Sequence, residues 1–391
     1  MKVLFLIREL EAGGGQRQLA NLAGGLAEAG HRVTVATFYS GHFYADLLKR
    51  EVRLISIGKK YRWDVLPFLA KLADVIRHER PDVLHSYMSA NVIASVLKPI
   101  FSGLPIVWGV RSSRMDLKRY DRLARVIGVL SRWYSRSADL IIVNSRAGYA
   151  DCVADGYPQS RTVVVPNGID TSYFRPDRLS GRKIRAELAL SDSEYVIGCV
   201  ARLDPMKGHD VFLKAAGILL LRHPFVRFVC VGDGPEAYRT KLLNMATDHG
   251  LEGRMTFLSA RTDIRAVYNS FDLLTLPSIY GEGFPNVLGE ALACSVRCVA
   301  TDVGDARWIV GDPTLTVPPN DPEALVRAWE GCIAGRDGWD GRAAQARIQR
   351  DFSTEALVRG TETLLRQIVD TKSYYRRHLA GNFPSSHMSD G

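Results

Sequence analysis

The chain has no long apolar run among its 391 residues. Its uninterrupted apolar stretches, such as residues 3–7, fall far short of the roughly 18 residues that a membrane-spanning helix needs. That first stretch, between Lys2 and Arg8, is also too short for the apolar region of a signal peptide. We therefore expect a cytoplasmic protein.

Cysteine motifs and internal repeats are missing as well. None of the six cysteines forms a C-x-x-C pair or has a histidine partner at zinc spacing, which predicts buried, reduced thiols. The sequence shows no solenoid period, so a repeat array is not expected. With 46% hydrophobic and 24% charged residues, the composition is typical of a soluble packed protein, and the length predicts two large domains.

Short apolar strands alternate with amphipathic helical stretches, which predicts an α/β protein with doubly wound, largely parallel sheets. In the first part of the chain the predicted strands are residues 2–7, 31–37, 52–57, 82–85, 106–110, 140–144 and 162–165. In the second part they are residues 195–201, 226–231, 255–258, 273–276, 296–300 and 315–317. Open parallel sheets bind ligands at the carboxyl ends of their strands, so we expect a site in the cleft between two such domains.

The two series of strands set the predicted domain boundaries. Residues 1–170 and 171–352 form the two α/β domains, and residues 353–371 form a last helix that we expect to pack back on the first domain. Residues 372–391, which contain Gly, Pro, Ser and His, are predicted to be a flexible tail.

A glycine-rich turn follows the first strand and opens a helix. Gly13, Gly14 and Gly15 would let backbone N–H groups approach a phosphate at the positive end of that helix. A merely tight turn is the alternative, and the G-x-G-x-x-G spacing of dinucleotide enzymes is absent, which disfavours a nicotinamide cofactor. The turn alone is therefore a weak signal.

Two further stretches carry charged groups at predicted strand ends. Arg202 and Lys207 follow a strand, where a guanidinium and an ammonium suit a diphosphate, although two solvated surface cations would look the same. Glu282 and Glu290 flank Gly283-Phe284-Pro285 and lie eight positions apart, which allows them to accept bonds from hydroxyls at two ends of one ligand. The alternative is a helix-dipole contact and an ordinary solvated glutamate.

Together these residues resemble glycosyltransferase family 4, the retaining enzymes with the GT-B fold. The resemblance covers roughly residues 1–370 and rests on an ordered set of motifs: the turn at 13–15, the junction 165–170, Arg202 with 207–208, the segment 231–235, and 282–290. It implies two Rossmann-like doubly wound domains that face each other across a cleft. No D-x-D triplet occurs, so we expect no metal and no cofactor, and cations and helix dipoles would hold the diphosphate.

The resemblance also implies roles for single residues. Arg202 and Lys207 would grip the donor diphosphate, Glu290 the nucleotide ribose and Glu282 the transferred sugar, so that Arg202, Lys207 and Glu282 are the candidate catalytic residues. The backbones of Gly14, Gly15, Gly283 and Phe284 would complete the donor site.

Some positions depart from the family pattern. Many relatives carry a histidine where this chain has Arg111, and His-x-His where it has His85-Ser86-Tyr87, so we regard Arg111, His85 and Tyr87 as candidate sugar or acceptor contacts. Ser295 stands where the relatives commonly have the glycine of Gly-x-Pro, and Trp308 replaces a frequent glutamate.

Positive charge concentrates in residues 111–136, which hold eight Arg or Lys against two Asp, a local net of +6 out of +9 for the chain. We expect a helix over 114–136, begun by a capping box from Ser113 to Asp116, with a basic stripe that lies on an anionic membrane surface. Lys118, Arg122, Arg125, Arg132 and Arg136 form that stripe, and Tyr120, Leu123, Ile127, Leu130 and Tyr134 form the opposite, core-facing side. A solvated basic face is the alternative, and nucleic acid is not expected because no recognition motif accompanies the charge.

The sequence thus predicts a metal-independent hexosyltransferase that takes a sugar from UDP or GDP and transfers it, with retention, to a lipid-linked or growing saccharide. Cell-surface polysaccharide, lipopolysaccharide or capsule synthesis is the expected setting, with the protein peripheral at the inner face of the cell membrane. A GT-B nucleotide-sugar epimerase and a non-catalytic saccharide-binding protein remain as alternatives.

Overall fold

The structure is a computed structural model that describes residues 1–10, 13–39, 51–59, 61, 64–111 and 122–380, without the side chains of 122–127, 337 and 375–380. Within this part of the chain, two parallel sheets are flanked by helices. Every strand predicted from the sequence is present, with ends that shift by no more than two residues. None of the described helices combines the length and the apolar character that crossing a membrane requires.

The first sheet forms the core of an N-terminal lobe and has the strand order β3-β2-β1-β4-β5-β6-β7. Its strands are β1 (Lys2–Ile7), β2 (Arg32–Thr37), β3 (Arg53–Ser56), β4 (Val83–Tyr87), β5 (Ile106–Val110), β6 (Leu140–Val143) and β7 (Thr162–Val164). The helices of this lobe are α1 (Gly14–Glu28), α2 (Val65–Glu79), α3 (Ala90–Val96), α4 (Arg122–Tyr134) and α5 (Arg146–Ala154).

The second sheet forms a C-terminal lobe and has the order β10-β9-β8-β11-β12-β13. Its strands are β8 (Tyr195–Val200), β9 (Val226–Val231), β10 (Met255–Leu258), β11 (Leu273–Leu276), β12 (Arg297–Thr301) and β13 (Thr316–Val317). The helices that follow the lobe junction are α6 (Arg178–Glu187), α7 (His209–Leu220), α8 (Glu236–Asp248), α9 (Ile264–Tyr268), α10 (Asn286–Ala293), α11 (Ala306–Val310), α12 (Pro322–Ala334), α13 (Gly341–Phe352) and α14 (Thr354–Ala380).

Helices cover both faces of each sheet, so the central strands are apolar on both sides. Five consecutive residues of β1 are buried, as expected for a parallel strand between two helical layers. The apolar stripe predicted for α1 is confirmed, and its members Leu19, Leu22, Ala23, Leu26 and Ala27 are all buried.

The last helix, α14, returns to the N-terminal lobe and packs against α1. Leu357, Val358 and Leu365 belong to the same apolar cluster as the buried face of α1. Gly25 permits this close approach, because a Cβ at that position would lie 2.4 Å from Val358 Cγ2. The predicted flexible tail from residue 372 is wrong in its first part, since α14 continues to Ala380. Residues 381–391 lie outside the described part of the chain.

Two chain crossings lie side by side where the lobes join. The backbone N–H of Ile169 donates to Phe352 O at 2.7 Å, and that of Thr354 donates to Ile169 O at 3.0 Å. The outgoing and returning segments therefore form one short joint, which leaves the carboxyl ends of both sheets free to face a common cleft.

Candidate functional site

Two helix N-termini, one from each lobe, meet in the cleft. Helix α1 begins at Gly14 and α10 at Asn286, with Pro285 as the N-cap. The N-cap residues, Gly13 and Pro285, make no side-chain hydrogen bond to their helices, and neither first turn contains an acidic residue. A Cβ at Gly14 would lie 3.5 Å from Asn286 Nδ2, so the positive ends of both helix dipoles come together.

Glu290, two turns into α10, is buried and tied to both lobes. Its Oε2 accepts a hydrogen bond of 2.7 Å from the Tyr268 hydroxyl, and its Oε1 pairs with the Arg17 guanidinium of α1. Burial, together with the neighbouring Glu290 carboxylate, raises the pKa of Tyr268 well above its usual value, which keeps that hydroxyl a donor. The alternative of an ordinary solvated glutamate is therefore wrong.

Glu282 is also buried and faces Lys207. Its Oε1 accepts from Lys207 Nζ at 2.6 Å and from Ser278 Oγ at 2.6 Å. Lys207 can approach because Gly208 has a φ of 69° and touches the chain at Pro277, whose oxygen would lie 1.9 Å from a Cβ. The ammonium and the carboxylate that the sequence singled out are thus adjacent.

Arg202 lies apart from this pair. Its side chain is 69% exposed, and its guanidinium reaches Asp204 Oδ2 at 3.3 Å on the same loop. The side chain is long enough to turn into the cleft, but the structure does not hold it there. Of the two predicted diphosphate cations, only Lys207 is fixed by a buried partner.

Arg111 occupies the N-terminal lobe's side of the cleft, at the end of β5. Its guanidinium donates to the Tyr87 hydroxyl and to Asn167 Oδ1, each at 3.0 Å, and lies over the Tyr87 ring. Asn167 in turn donates to Asn286 Oδ1 at 2.9 Å. This chain of hydrogen bonds connects β5 to the first residue of α10.

His85 is not at the cleft surface. The side chain is fully buried between the rings of Phe5 and Tyr87, and neither ring nitrogen has a hydrogen-bond partner among the described residues. Burial, and to a lesser degree the charge of Arg111, lowers the pKa of His85 well below its usual value. In this conformation His85 cannot touch an acceptor, and Tyr87, equally buried, offers only its hydroxyl to Arg111.

The side chain of Phe284 packs inside the protein, so the Gly283-Phe284 segment can offer only backbone groups to a ligand. Phe284 is buried and its ring packs on Phe352, with centroids 5.4 Å apart. The Gly283 carbonyl accepts from Asp305 N at 2.9 Å, which fixes the segment just before α10.

Asp305 makes a second contact between the lobes, which the sequence does not predict. The carboxylate of Asp305 accepts from the backbone N–H groups of Arg146 and Ala147 at 2.7 and 3.0 Å, so it caps α5 of the other lobe. Burial raises the pKa of Asp305. Beside it, the Arg146 guanidinium lies 3.8 Å from the centre of the Trp308 ring. No local pattern marks Asp305, Arg17 or Tyr268, because their partners are distant in sequence.

The basic segment is described only in part. Residues 112–121, with the predicted capping box, Lys118 and Tyr120, lie outside the described range, as do the side chains of 122–127. Helix α4 ends at Tyr134, so Arg136 sits in the following 3-10 turn and not on the helix. Tyr134 packs against the lobe core, but Leu130 is 37% exposed, and Val129 and Trp133 are more exposed still.

Among the described residues, no group of three or more His, Cys, Asp or Glu side chains is arranged to hold a metal ion. Positive charge in the described part of the cleft comes from Lys207, Arg17, Arg111 and the two helix N-termini.

Two family models match the chain, one for each lobe. A model described as Glycosyltransferase Family 4 matches residues 12–173, and one described as Glycosyl transferases group 1 matches residues 194–334.

Relatives of known name and a solved structure agree with these models. The D-inositol 3-phosphate glycosyltransferase of Salinispora tropica is 33% identical over 71% of this chain, which spans 62% of that protein's length. The UDP-Gal:alpha-D-GlcNAc-diphosphoundecaprenol alpha-1,3-galactosyltransferase of Escherichia coli is 25% identical over 73% of each chain. The crystal structure of Anabaena Alr3699/HepE in complex with UDP superposes with a TM-score of 0.82 over 94% of this chain and 100% of that one, at 24% identity.

Proposed function

Because the chain belongs to glycosyltransferase family 4 and has the GT-B fold, we propose that it transfers a hexose from a nucleoside diphosphate sugar to a saccharide acceptor, with retention of configuration. The observation that carries this proposal is the meeting of the N-termini of α1 and α10 in the cleft that also holds Lys207. A diphosphate is the group that such a place binds best, since it presents several anionic oxygens to backbone N–H groups and a nearby ammonium.

The transfer itself needs the leaving diphosphate to be stabilised. In the proposed reaction the bond from the sugar's anomeric carbon to the diphosphate oxygen breaks, and a bond to the acceptor oxygen forms on the same face. The acceptor hydroxyl proton passes to an oxygen of the departing diphosphate. Lys207 and the two helix ends lower the barrier by holding the charge that develops on that diphosphate, without a metal ion.

The two buried glutamates would position the donor. Glu290, held by Tyr268, would accept the ribose hydroxyls, and Glu282, held by Lys207 and Ser278, would face the transferred sugar. Since Arg17 of the N-terminal lobe also binds Glu290, donor binding and closure of the lobes share this carboxylate. Arg202 would turn in from its exposed position when the diphosphate arrives.

A thermal-shift panel of UDP, GDP and ADP, followed by a donor-turnover assay with the matching nucleotide sugars, tests this function. Binding of one diphosphate should raise the Tm, because a ligand that binds only the folded state adds stability by mass action. Release of that diphosphate with sugar transfer or hydrolysis supports a transferase. Formation of an isomeric sugar would identify an epimerase instead, and no binding by any of the three would overturn the proposal.

For the acceptor we propose a lipid-linked or growing surface saccharide, reached at the inner face of a membrane. A relative named above acts, by its name, on a diphosphoundecaprenol-linked sugar. In this chain, Val129 and Trp133 lie four residues apart on α4, are 69% and 72% exposed, and neighbour the exposed Arg132. An exposed Trp beside basic residues is typical of a helix that lies in the interface of an anionic bilayer.

Liposome sedimentation tests the membrane part of the proposal. Wild-type protein should sediment with vesicles of phosphatidylglycerol and phosphatidylcholine more than with phosphatidylcholine alone, and added salt should reduce the difference. Trp133→Ser should weaken binding, whereas Leu221→Ser, a change at a still more exposed apolar residue of the C-terminal lobe, should not. Equal losses in both variants, or partitioning that ignores lipid charge, would remove the membrane from the proposal.

A further inference from the structure

Arg111 differs from the other described cations of the cleft in its partners. Lys207 faces Glu282, Arg17 faces Glu290, and Arg202 reaches Asp204. The partners of Arg111, a tyrosine hydroxyl and an asparagine oxygen, are both neutral. Among the described residues, Arg111 is therefore the cleft cation whose charge no carboxylate balances.

The position of Arg111 is fixed before any substrate arrives. Its guanidinium lies over the ring of the fully buried Tyr87, and its Cβ is 3.6 Å from where a Cβ of Gly15 would lie. The Nε is buried against protein. One terminal nitrogen donates a hydrogen bond to Asn167, and the other donates one to Tyr87. A guanidinium carries five N–H groups, so one N–H on each terminal nitrogen is left over, as a fork that suits a carboxylate or a phosphate.

The described surroundings of this fork favour an anion and include no carboxylate that bonds it. A half-buried cation is costly without a counter-ion, and the N-terminus of α1, which starts at Gly14, adds positive potential beside it. The ring of His85 lies behind Tyr87 and stays neutral, because burial and Arg111 lower its pKa. No carboxylate of the described residues supplies this anion, and a substrate in the cleft can.

We propose that Arg111 is a specificity-determining residue that selects a substrate sugar carrying its own carboxylate or phosphate, in addition to the donor diphosphate. The inference rests on the proposed function and names the substrate class for the same cleft. The anionic group sits either on the transferred sugar, as in a uronic acid donor, or on the acceptor, as in a sugar phosphate. The diphosphate itself has Lys207 and the two helix ends, and does not depend on Arg111.

Binding measurements on the wild type and three variants test the proposal. With the diphosphate that the wild type binds, the ligands are the free diphosphate, its glucose and galactose conjugates, and the corresponding glucuronate and galacturonate conjugates. Glucose 6-phosphate and glucose, each added with the free diphosphate, form the acceptor arm. The variants are Arg111→Met and Arg111→Lys. Lys241→Met, which removes a cation of the C-terminal lobe, is the control.

The wild type should bind the anionic member of one arm more tightly than its neutral partner by on the order of ten- to a hundredfold, the range expected for hydrogen bonds to charged groups. Arg111→Met should abolish that preference and change the affinity for the free diphosphate by less than about threefold. Arg111→Lys should restore part of it, since the charge returns without the fork. Lys241→Met should behave like the wild type.

Two results would overturn the inference. One is a wild type that prefers no anionic sugar in either arm. The other is an Arg111→Met variant that loses the free diphosphate as strongly as it loses the sugar conjugates, which would make Arg111 a diphosphate ligand. Failure of the proposed function looks different, because the wild type would then bind no nucleoside diphosphate at all.

Discussion

The two walls of the cleft neutralise their charges in different ways. In the C-terminal lobe, Lys207 and Glu282 form a buried pair within the wall itself, and Tyr268 holds Glu290 from the same lobe. In the N-terminal lobe, Arg17 pairs across the cleft with Glu290, and the described hydrogen-bond partners of Arg111 are neutral. The charged groups of the C-terminal wall thus have partners within their own lobe. Those of the N-terminal wall have a partner in the opposite lobe or, as proposed, in a substrate.

From this difference we expect the two walls to bind different parts of the substrates. Groups that are fixed in advance stabilise developing charge without reorganisation, so the C-terminal wall is suited to the donor diphosphate. Arg17 and the cap that Asp305 places on α5 hold the N-terminal wall in place by contacts between the lobes. Changes in the two walls should therefore have separable effects.

The largest effect on turnover is expected from Lys207→Ala in the C-terminal wall. Loss of one preorganised donor to the leaving group should raise the barrier by about 2.7 to 4 kcal/mol, a fall in turnover of roughly a hundred- to a thousandfold. The measurement is kcat with saturating donor, alongside Lys241→Ala, whose ammonium pairs with Asp210 outside the cleft. A loss below tenfold, with a circular dichroism spectrum like that of the wild type, would show that Lys207 does not act on the leaving group.

Glu290→Gln should weaken donor binding without an equal fall in kcat. Hydrogen bonds to charged groups contribute about 1.5–3 kcal/mol, so the donor KM should rise by roughly ten- to a hundredfold. Tyr268→Phe removes one hydrogen bond that holds this carboxylate but leaves the carboxylate in place, so the donor KM should rise less than in Glu290→Gln.

The ribose assignment is checked with the 2′-deoxy form of the bound nucleotide. The wild type should discriminate against the deoxy nucleotide, and Glu290→Gln should bind both forms alike. Unchanged discrimination in Glu290→Gln would place the ribose elsewhere.

More of the charged residues of the C-terminal wall than of the N-terminal wall could be identified from the sequence. Strands were recognisable because parallel strands buried on both faces read as apolar runs, and Lys207, Glu282 and Glu290 stood in ordered motifs on the loops and the helix that follow such strands. Arg17, Tyr268, Asn167 and Asp305 act through partners far away in the sequence, which no local pattern encodes.

The errors of prediction have the same origin. His85 matched a family position but lies inside the lobe, where only the packing of Phe5 and Tyr87 around it shows that it is shielded. The extension of α14 to Ala380 was missed because the helix is held by tertiary contacts, including the ion pair of Lys372 with Asp139 at 2.9 Å.

A pH effect on stability should trace to the N-terminal lobe. Because the pKa of His85 is lowered in the folded state, the unfolded chain takes up a proton near pH 6.5 that the folded chain does not, so stability falls as pH decreases below that value. The slope is at most about 1.4 kcal/mol per pH unit. His85→Phe should remove this dependence and keep the ring packing.

Thermal unfolding at pH 7.5 and 5.5 measures this contribution, and His78→Gln, at an exposed position of α2, is the matched control. A difference in Tm between the two pH values that is the same in His85→Phe and the wild type would contradict the assignment.

The smallest expected effect is in the C-terminal lobe, at Ser295. This residue has a φ of 62°, a region that favours glycine, and its buried hydroxyl has no partner among the described residues. Ser295→Gly should relieve the strain, and after the entropy cost of glycine it should stabilise the protein by about 0.5–1 kcal/mol, or roughly 1–3 °C in Tm. Ser295→Ala removes the hydroxyl but keeps the strained backbone, so an equal gain in both variants would exclude the backbone explanation.

The central proposal is a diphosphate site in which two helix N-termini and Lys207 hold the ligand without a metal ion. Isothermal titration with the preferred nucleoside diphosphate, its monophosphate and its nucleoside, all in excess EDTA, measures this directly. We predict that the diphosphate binds at least about a hundredfold more tightly than the nucleoside, because each phosphate adds charge-assisted hydrogen bonds. Equal affinities for all three, or diphosphate binding that EDTA abolishes, would contradict it.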